Sequence, residues 1–391
     1  MRALGRWVAG GLVLLVAVTC WALLLVPPLL DRIYYRGPVS DHYDGQRFFN
    51  PGGADDTARP PGGGSRGGFI WRQLTGSDDR PAWPARVPVT PSKPPERVTG
   101  DRMLATWVGH ATVLVQAGGV NILTDPIWSD TAGPFGFGPR RVAAPGIRFE
   151  DLPPIDVVVV SHNHYDHMDL VTLKRLWERD RPTIITSLGN DTVIADAGVP
   201  ATALDWRQSM PVRPGVTATV ERNHHWGSRW FTDRNRALWS AFSINTPAGN
   251  IFFAGDTGLG DGRWPAEAAA RGGPYRLAIL PVGAFRFEPG AQKGTGSHIG
   301  PIEAAGVFHD LRASWALPIH WGTFRLSYEG YDTPPRMLNG VLACRGLDHA
   351  AFAARRIGEP WEVPTPRAVR PTPVPAGYAT CLRRPGIAGL P

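Results

Sequence analysis

Cysteine is scarce in this 391-residue chain: there are three, and one of them, Cys20, lies inside an apolar N-terminal run. That number rules out a disulfide framework and a cysteine-based zinc ribbon. Cys344 and Cys381 remain, and they either pair, if their surroundings are oxidising, or stay as free thiols. Also missing is any dense Lys/Arg run with interleaved aromatics. The net charge of +7 and isoelectric point near 9.6 suit phosphate-bearing partners, nucleic acid or anionic lipid headgroups, or mark no more than a solvated arginine-rich surface; without such a run no specific nucleic acid is expected as a partner. No fixed-period repeat stands out. A hydrophobic share of 43% excludes disorder throughout, while Gly 46 and Pro 39 point to a loop-rich globular protein.

The chain does carry one long uncharged run. Arg2 and Arg6 precede Trp7 to Leu30, WVAGGLVLLVAVTCWALLLVPPLL, which is long enough to cross a hydrocarbon core of about 30 Å. A cleaved signal peptide needs a shorter apolar region and a small-x-small site, and neither is evident. Residues 1–32 are thus read as an N-terminal membrane anchor or signal segment, with the transmembrane anchor preferred. Positive charge ahead of the span favours an N-in orientation and places the bulk of the chain outside the cytoplasm.

Residues 33–100 read as an extended, Gly/Pro-rich segment. Within it Gly52 to Gly68, GGADDTARPPGGGSRGG, offers almost nothing apolar to bury and reads as a linker. From about Met103 short β-branched runs recur between turns: LATWV, TVLVQ, VNILT, DVVVVS, PTIITS, GVTATVE, NIFFAGD, LAILPV and WALPIH. A domain over 101–345 is expected from them, with 346–391 a Pro-rich tail packing on it or extending from it. Leu170, Leu173, Leu176 and Trp177 recur at helical spacing, so a strand, a loop and a helix present whatever lies between DVVVVS and Asp169.

What lies there is His162, His164, Asp166 and His167, four metal-ligand side chains within six residues. Zinc takes imidazole nitrogen and carboxylate oxygen, and a turn lets residues i and i+2 face one ion while i+4 and i+5 face another. Isolated histidines are usually surface or core residues; this density is not that pattern.

The string resembles the signature of the metallo-β-lactamase superfamily, and further positions of that signature follow in order: His225 in NHHW, Asp256 in FFAGDTG and His320 in PIHWGTF. The resemblance implies an α/β fold, a four-layer αββα sandwich. It also implies two Zn2+ ions, or other divalent metals: His162, His164 and His225 on the first, Asp166, His167 and His320 on the second, and Asp256 bridging. His224 competes with His225, which is preferred because it directly precedes a tryptophan. The zinc β-lactamases proper place a cysteine between the third and last histidines; here Cys344 falls after His320, so the site looks like the phosphodiesterase and lactonase side of the superfamily.

WVGHATVLVQ, LTDPIWS, SHNHYDHMD, LWSAF, FFAGDTG, PVGAF, SHIGPIEA and IHWGTF are similar, in that order, to the N-acyl phosphatidylethanolamine-hydrolysing phospholipases D and their bacterial relatives, over roughly residues 107–324. This resemblance implies that Asp125 orients a ligand histidine from behind and that His298 lines the pocket as a catalytic residue beside Asp166 and Asp256. His110 is read as a structural histidine, and Trp226, Trp230, Phe231 and Trp239 as aromatic core rather than the flank of a lipid groove. The expected activity is that of a binuclear zinc phosphodiesterase on phospholipids, reached from the membrane through the N-terminal helix. The rival readings are a lactonase, a sugar-phosphate or nucleic-acid phosphodiesterase on the same site, and a non-catalytic zinc-stabilised membrane module.

Overall fold

Short, near-continuous apolar strands bury both faces here, and the side chains of the two faces separate cleanly. The computed structural model describes residues 2–53, 80–230, 232–288, 290–370 and 372–391, so most of the expected linker, and Phe231, lie outside the described residues. Strands β1 (Met103–Gly109), β2 (Thr112–Ala117), β3 (Val120–Thr124), β4 (Val157–Val160), β5 (Thr183–Ser187), β6 (Thr202–Leu204) and β13 (Pro360–Glu362) form one sheet in the order β13-β1-β2-β3-β4-β5-β6. Strands β7 (Ser209–Arg213), β8 (Val216–Glu221), β9 (Ala241–Asn245), β10 (Asn250–Phe253), β11 (Tyr275–Pro281) and β12 (Trp315–Ile319) form the other, ordered β12-β11-β10-β9-β8-β7.

Alternate residues of each strand go to different layers. Val157 and Val159 of β4 join Phe242, Phe253 and Ile279 in the core between the sheets. Val158 and Val160 point the other way, onto Leu173 and Leu176 of α2 (Leu170–Asp180) and Val193 and Ile194 of α3 (Asn190–Ala195). On the far side Phe252, Ala278 and Leu280 pack against α4 (Trp264–Gly272), α5 (Pro301–Asp310) and α6 (Thr333–Arg345). The outcome is helix, sheet, sheet, helix, and each fully buried Val, Ile or Phe contributes about 1.5–3 kcal/mol.

Directionality then places the loops. Neighbours run parallel from β3 through β6 and from β10 through β12, while β8 and β10 share a direction because both are antiparallel to β9. The carboxyl ends of β3, β4, β8, β10 and β12 therefore open on one edge, where an α/β sheet places its ligand site.

The boundary expected at 345 does not divide the sheet. β13 lies beyond it and pairs antiparallel with β1, because the edge of β1 would otherwise expose unpaired amides and carbonyls. The rest of the tail is tied down by the Cys344–Cys381 disulfide and by Pro391, whose carbonyl accepts from the Gly330 amide at 3.0 Å. Residues 33–53, outside regular helices and strands, bury Tyr34, Tyr43 and Phe48 against the domain. Helix α1 (Arg2–Leu30) projects its 20-residue stretch Trp7–Val26 away from the domain, long and apolar enough to cross a membrane.

His42 illustrates how the N-terminal segment docks. Its ring stacks on Trp206 at 4.5 Å, and its two nitrogens reach Asp41 at 2.5 Å and Asp205 at 2.8 Å. Burial lowers its affinity for a proton, but Asp205 and Asp41 outweigh that and raise its pKa above the usual value. A raised folded pKa makes the contribution to stability full below the unfolded value of about 6.5 and lost as pH climbs through the folded one. Thermal melts from pH 6 to 9 should show this loss in the native protein, and the His42→Gln variant should lack that part of the slope.

Candidate metal centre

Each candidate ligand sits just past a strand end. His162, His164, Asp166 and His167 occupy the loop from β4 to α2, whose entry is fixed by Asp169 accepting from the Val171 amide. His225 follows β8, Asp256 follows β10 and His320 follows β12. Asp125, at φ 30, His320, at φ 66, and His110, at φ 52, all take the left-handed backbone conformation. Strain of that kind persists only where packing over-determines it.

The side chains converge in two adjoining groups. In the first, His164 Nδ1 lies 2.8 Å from His162 Nε2 and 3.3 Å from His225 Nε2. In the second, His167 Nε2 and His320 Nε2 are 3.1 Å apart, each 3.1 Å from Asp256 Oδ2, with Asp166 Oδ2 at 3.5 and 3.6 Å. Asp256 also falls within one ligand cluster with His225 and His298, so it borders both groups.

The outward hydrogen bonds fix which nitrogens carry protons. His225 Nδ1 donates to the Ser297 carbonyl at 2.8 Å and His320 Nδ1 to the Gly283 carbonyl at 3.1 Å. His167 Nδ1 donates to Asp125 Oδ2 at 2.6 Å. The Ser161 hydroxyl gives its proton to the same carboxylate at 2.6 Å, so it accepts from His162 Nδ1 at 2.9 Å. All four Nε2 atoms thus face inward, where their lone pairs can meet a cation. Unprotonated nitrogens about 3 Å apart in a dry interior repel one another unless a cation lies among them, and the buried Asp256 Oδ1 has no hydrogen-bond partner. The donor set, neutral nitrogen with carboxylate oxygen, fits zinc.

The electrostatics divide the two groups. In the second, burial lowers the proton affinity of His167 and His320, but Asp256 and then Asp166 outweigh it and raise His167 well above the usual histidine value and His320 to about 9, so this pair of rings beside two carboxylates is where positive charge gathers. In the first the rings stay neutral. Burial and then the neighbouring imidazoles hold His162 well below the usual histidine value, and burial followed by His298 does the same for His225; His164 falls to about 3, chiefly through burial. Burial opposes ionisation of Asp166 and Asp256, but His167 and its neighbours prevail and keep both carboxyls ionised well below the usual range.

Every ligand residue expected from sequence is brought to this cleft. His225 is the member of the NHHW pair that faces His162 and His164, whereas the ring of its neighbour His224 lies beneath Gly260, where an added Cβ would come within 2.3 Å of it. Asp125 binds His167, the Ser161 amide at 2.7 Å and the Ser161 hydroxyl, and so orients two ligands at once. His298 Nδ1, buried without a hydrogen-bond partner, stands 3.8 Å from Asp256 Oδ2. The structural reading of His110 needs correction: its Nε2 is 2.9 Å from Asp166 Oδ2 and its ring lies 4.1 Å from that of His320. The aromatic quartet divides too, for Trp239 is core, Trp226 lies with its ring 4.2 Å from that of His164, and Trp230 lines a cavity beside the metal loop.

Residues 120–321 match the family described as the beta-lactamase superfamily domain. The chain belongs to it. It is a metal-dependent hydrolase of the metallo-β-lactamase superfamily, 37% identical to the N-acyl-phosphatidylethanolamine-hydrolyzing phospholipase D 1 of Caenorhabditis elegans over 66% of this chain and 76% of that protein. An uncharacterized Mycobacterium tuberculosis protein is 33% identical over 78% of the chain and 80% of its own length. Among solved structures, the isothiocyanate hydrolase from Delia radicum gut bacteria covers 66% of this chain and 98% of its own at a TM-score of 0.53 and 18% identity, a likeness of fold.

Asp125→Asn should remove the acceptor that fixes the His167 and Ser161 protons. Metal affinity, measured by chelator competition, should fall about 10–100-fold with the folded spectrum retained.

Proposed function

We propose that the chain is a membrane-anchored zinc phosphodiesterase that holds two Zn2+ ions and hydrolyses phospholipids of the N-acyl phosphatidylethanolamine type. The observation that carries the reading is the pair of ligand groups meeting at Asp256. The printed activity of the Caenorhabditis elegans relative supports the substrate class. The apolar α1 supports the anchor, and the Cys344–Cys381 disulfide supports an extracytoplasmic domain, since such bonds persist in oxidising compartments.

His162, His164 and His225 would hold one ion, Asp166, His167 and His320 the other, with Asp256 between them. Bound there, two divalent cations supply Lewis acidity toward phosphoryl oxygens and a water nucleophile at neutral pH. Asp125 keeps the His167 ring turned so that Nε2 faces inward. His110, pushed down to about 3 by burial and then by His320, is neutral and donates a hydrogen bond that steadies Asp166. His298 has a pKa lowered to about 4, chiefly by burial, so at neutral pH it holds no acidic proton to pass on. Its role in this reading is to donate a hydrogen bond from a neutral ring to a phosphoryl oxygen. The Ile299 amide, bonded to the Thr257 carbonyl at 2.6 Å, fixes its loop.

Purified full-length protein in detergent should contain two zincs per chain. It should cleave N-acyl phosphatidylethanolamine to phosphatidic acid and the N-acylethanolamine, and should cleave a chromogenic phosphodiester, in preference to a lactone or an oligonucleotide. Release of neither phosphodiester product by protein with both zincs bound would overturn the reading. His298→Ala should lower kcat about 100-fold at unchanged zinc content.

A further inference from the structure

Beside the metal loop lies a second feature that the hydrolytic centre does not use. A cavity of about 500 Å³ is bounded by Tyr165 and Met168 on the metal loop, by Trp230, by Phe135, and by Arg32 and Tyr34 just past the end of α1. It adjoins the metal loop at Tyr165 and Met168 on one side and the root of the apolar helix on the other.

That root is clamped to the domain. Asp31 pairs with Arg47 at 2.8 Å and with Arg236 at 2.8 Å, Arg32 pairs with Asp196 at 2.5 Å, and the Tyr34 hydroxyl donates to Asp233 at 2.7 Å. Three anchored side chains in the first four residues after Leu30 fix which face of the domain lies nearest the bilayer, and the cavity lies on that face.

The third observation is the hairpin 131–140, closed by a bridge between Thr131 and Arg140. It leaves Phe135 85% and Phe137 74% exposed at its tip. Neither exposure is incidental to a loose loop. The Ala132 amide donates to the Pro139 carbonyl at 2.9 Å, and Phe135 is held at φ 54. A Cβ on Gly133 would come within 1.9 Å of the Phe137 carbonyl oxygen, so only glycine permits the turn that presents both rings. Aromatics at a tip, with Arg140 exposed at its base, are the chemistry of an interfacial contact with lipid.

We infer that the Phe135–Phe137 hairpin enters the same membrane leaflet from which α1 emerges and that the adjoining cavity receives an acyl chain of a lipid drawn from it, beside the metal loop. Exposure of the rings, the clamped helix root and the shared cavity commit the occupant to a bilayer lipid rather than to a protein. The inference rests on the phospholipid reading above, and its test is separable from it.

Full-length protein is reconstituted in nanodiscs of phosphatidylethanolamine and anionic phospholipid doped with a phosphatidylethanolamine whose acyl chain carries a diazirine. After photolysis, adducts are mapped by mass spectrometry, and hydrolysis of N-acyl phosphatidylethanolamine is followed in the same discs. Adducts on Phe135, Trp230 or Met168, reduced at least about fivefold in a Phe135→Asp/Phe137→Asp variant of unchanged zinc content, are expected. Adducts confined to Trp7–Val26 would overturn the inference even if the lipid is hydrolysed. Absence of hydrolysis with adducts in the cavity would remove the phosphodiesterase reading and leave the acyl site standing.

Discussion

Putting Asp125 and Asp256 out of contact with water is the condition on which everything else in this protein depends. An unpaired buried carboxylate costs several kcal/mol, so each must be met by donors or cations. Asp125 is met by the Ser161 amide and hydroxyl and by His167; Asp256 is met by the inward faces of His167 and His320. The hydrogen bonds to Asp125 and the backbone turn the Nε2 atoms inward around Asp256, and that is a site built to hold positive charge.

The fold serves this condition by directing strands rather than by supplying ligands from regular elements. The carboxyl ends of β3, β4, β8, β10 and β12 meet at one edge, and short loops there take backbone angles that only dense packing below can hold. The interior of branched and aromatic side chains between the sheets offsets that strain. Outside the site the same economy of position appears at the root of α1, where ion pairs orient the domain relative to the apolar helix.

Much of this was legible in the chain itself. Four ligand-type side chains in six residues after VVVV announce a metal loop, and short β-branched runs between turns announce strands, because those patterns depend only on neighbours in sequence. The family resemblance extended them to His225, Asp256 and His320. His110 escaped because one histidine in a turn carries no local mark of function; only the approach of the β1–β2 turn to the metal loop brings it to Asp166. β13 escaped because three residues in a Pro-rich tail have too little pattern to read as a strand. Trp239 and Trp230 share a composition and a neighbourhood in sequence, yet one is core and the other lines a cavity.

By itself, then, the sequence determined the metal-ligand chemistry, the succession of strands and an apolar helix of membrane-spanning length, since these follow from residue type and spacing along the chain, while the two-sheet class came from the family resemblance. Tertiary structure alone decided which imidazole nitrogens carry protons, that His225 rather than His224 faces the cleft, that Asp125 governs two ligands, and that the Phe135 hairpin lies beside the helix root. Those are contacts between residues up to about two hundred positions apart, and their geometry is set by how the sheets pack.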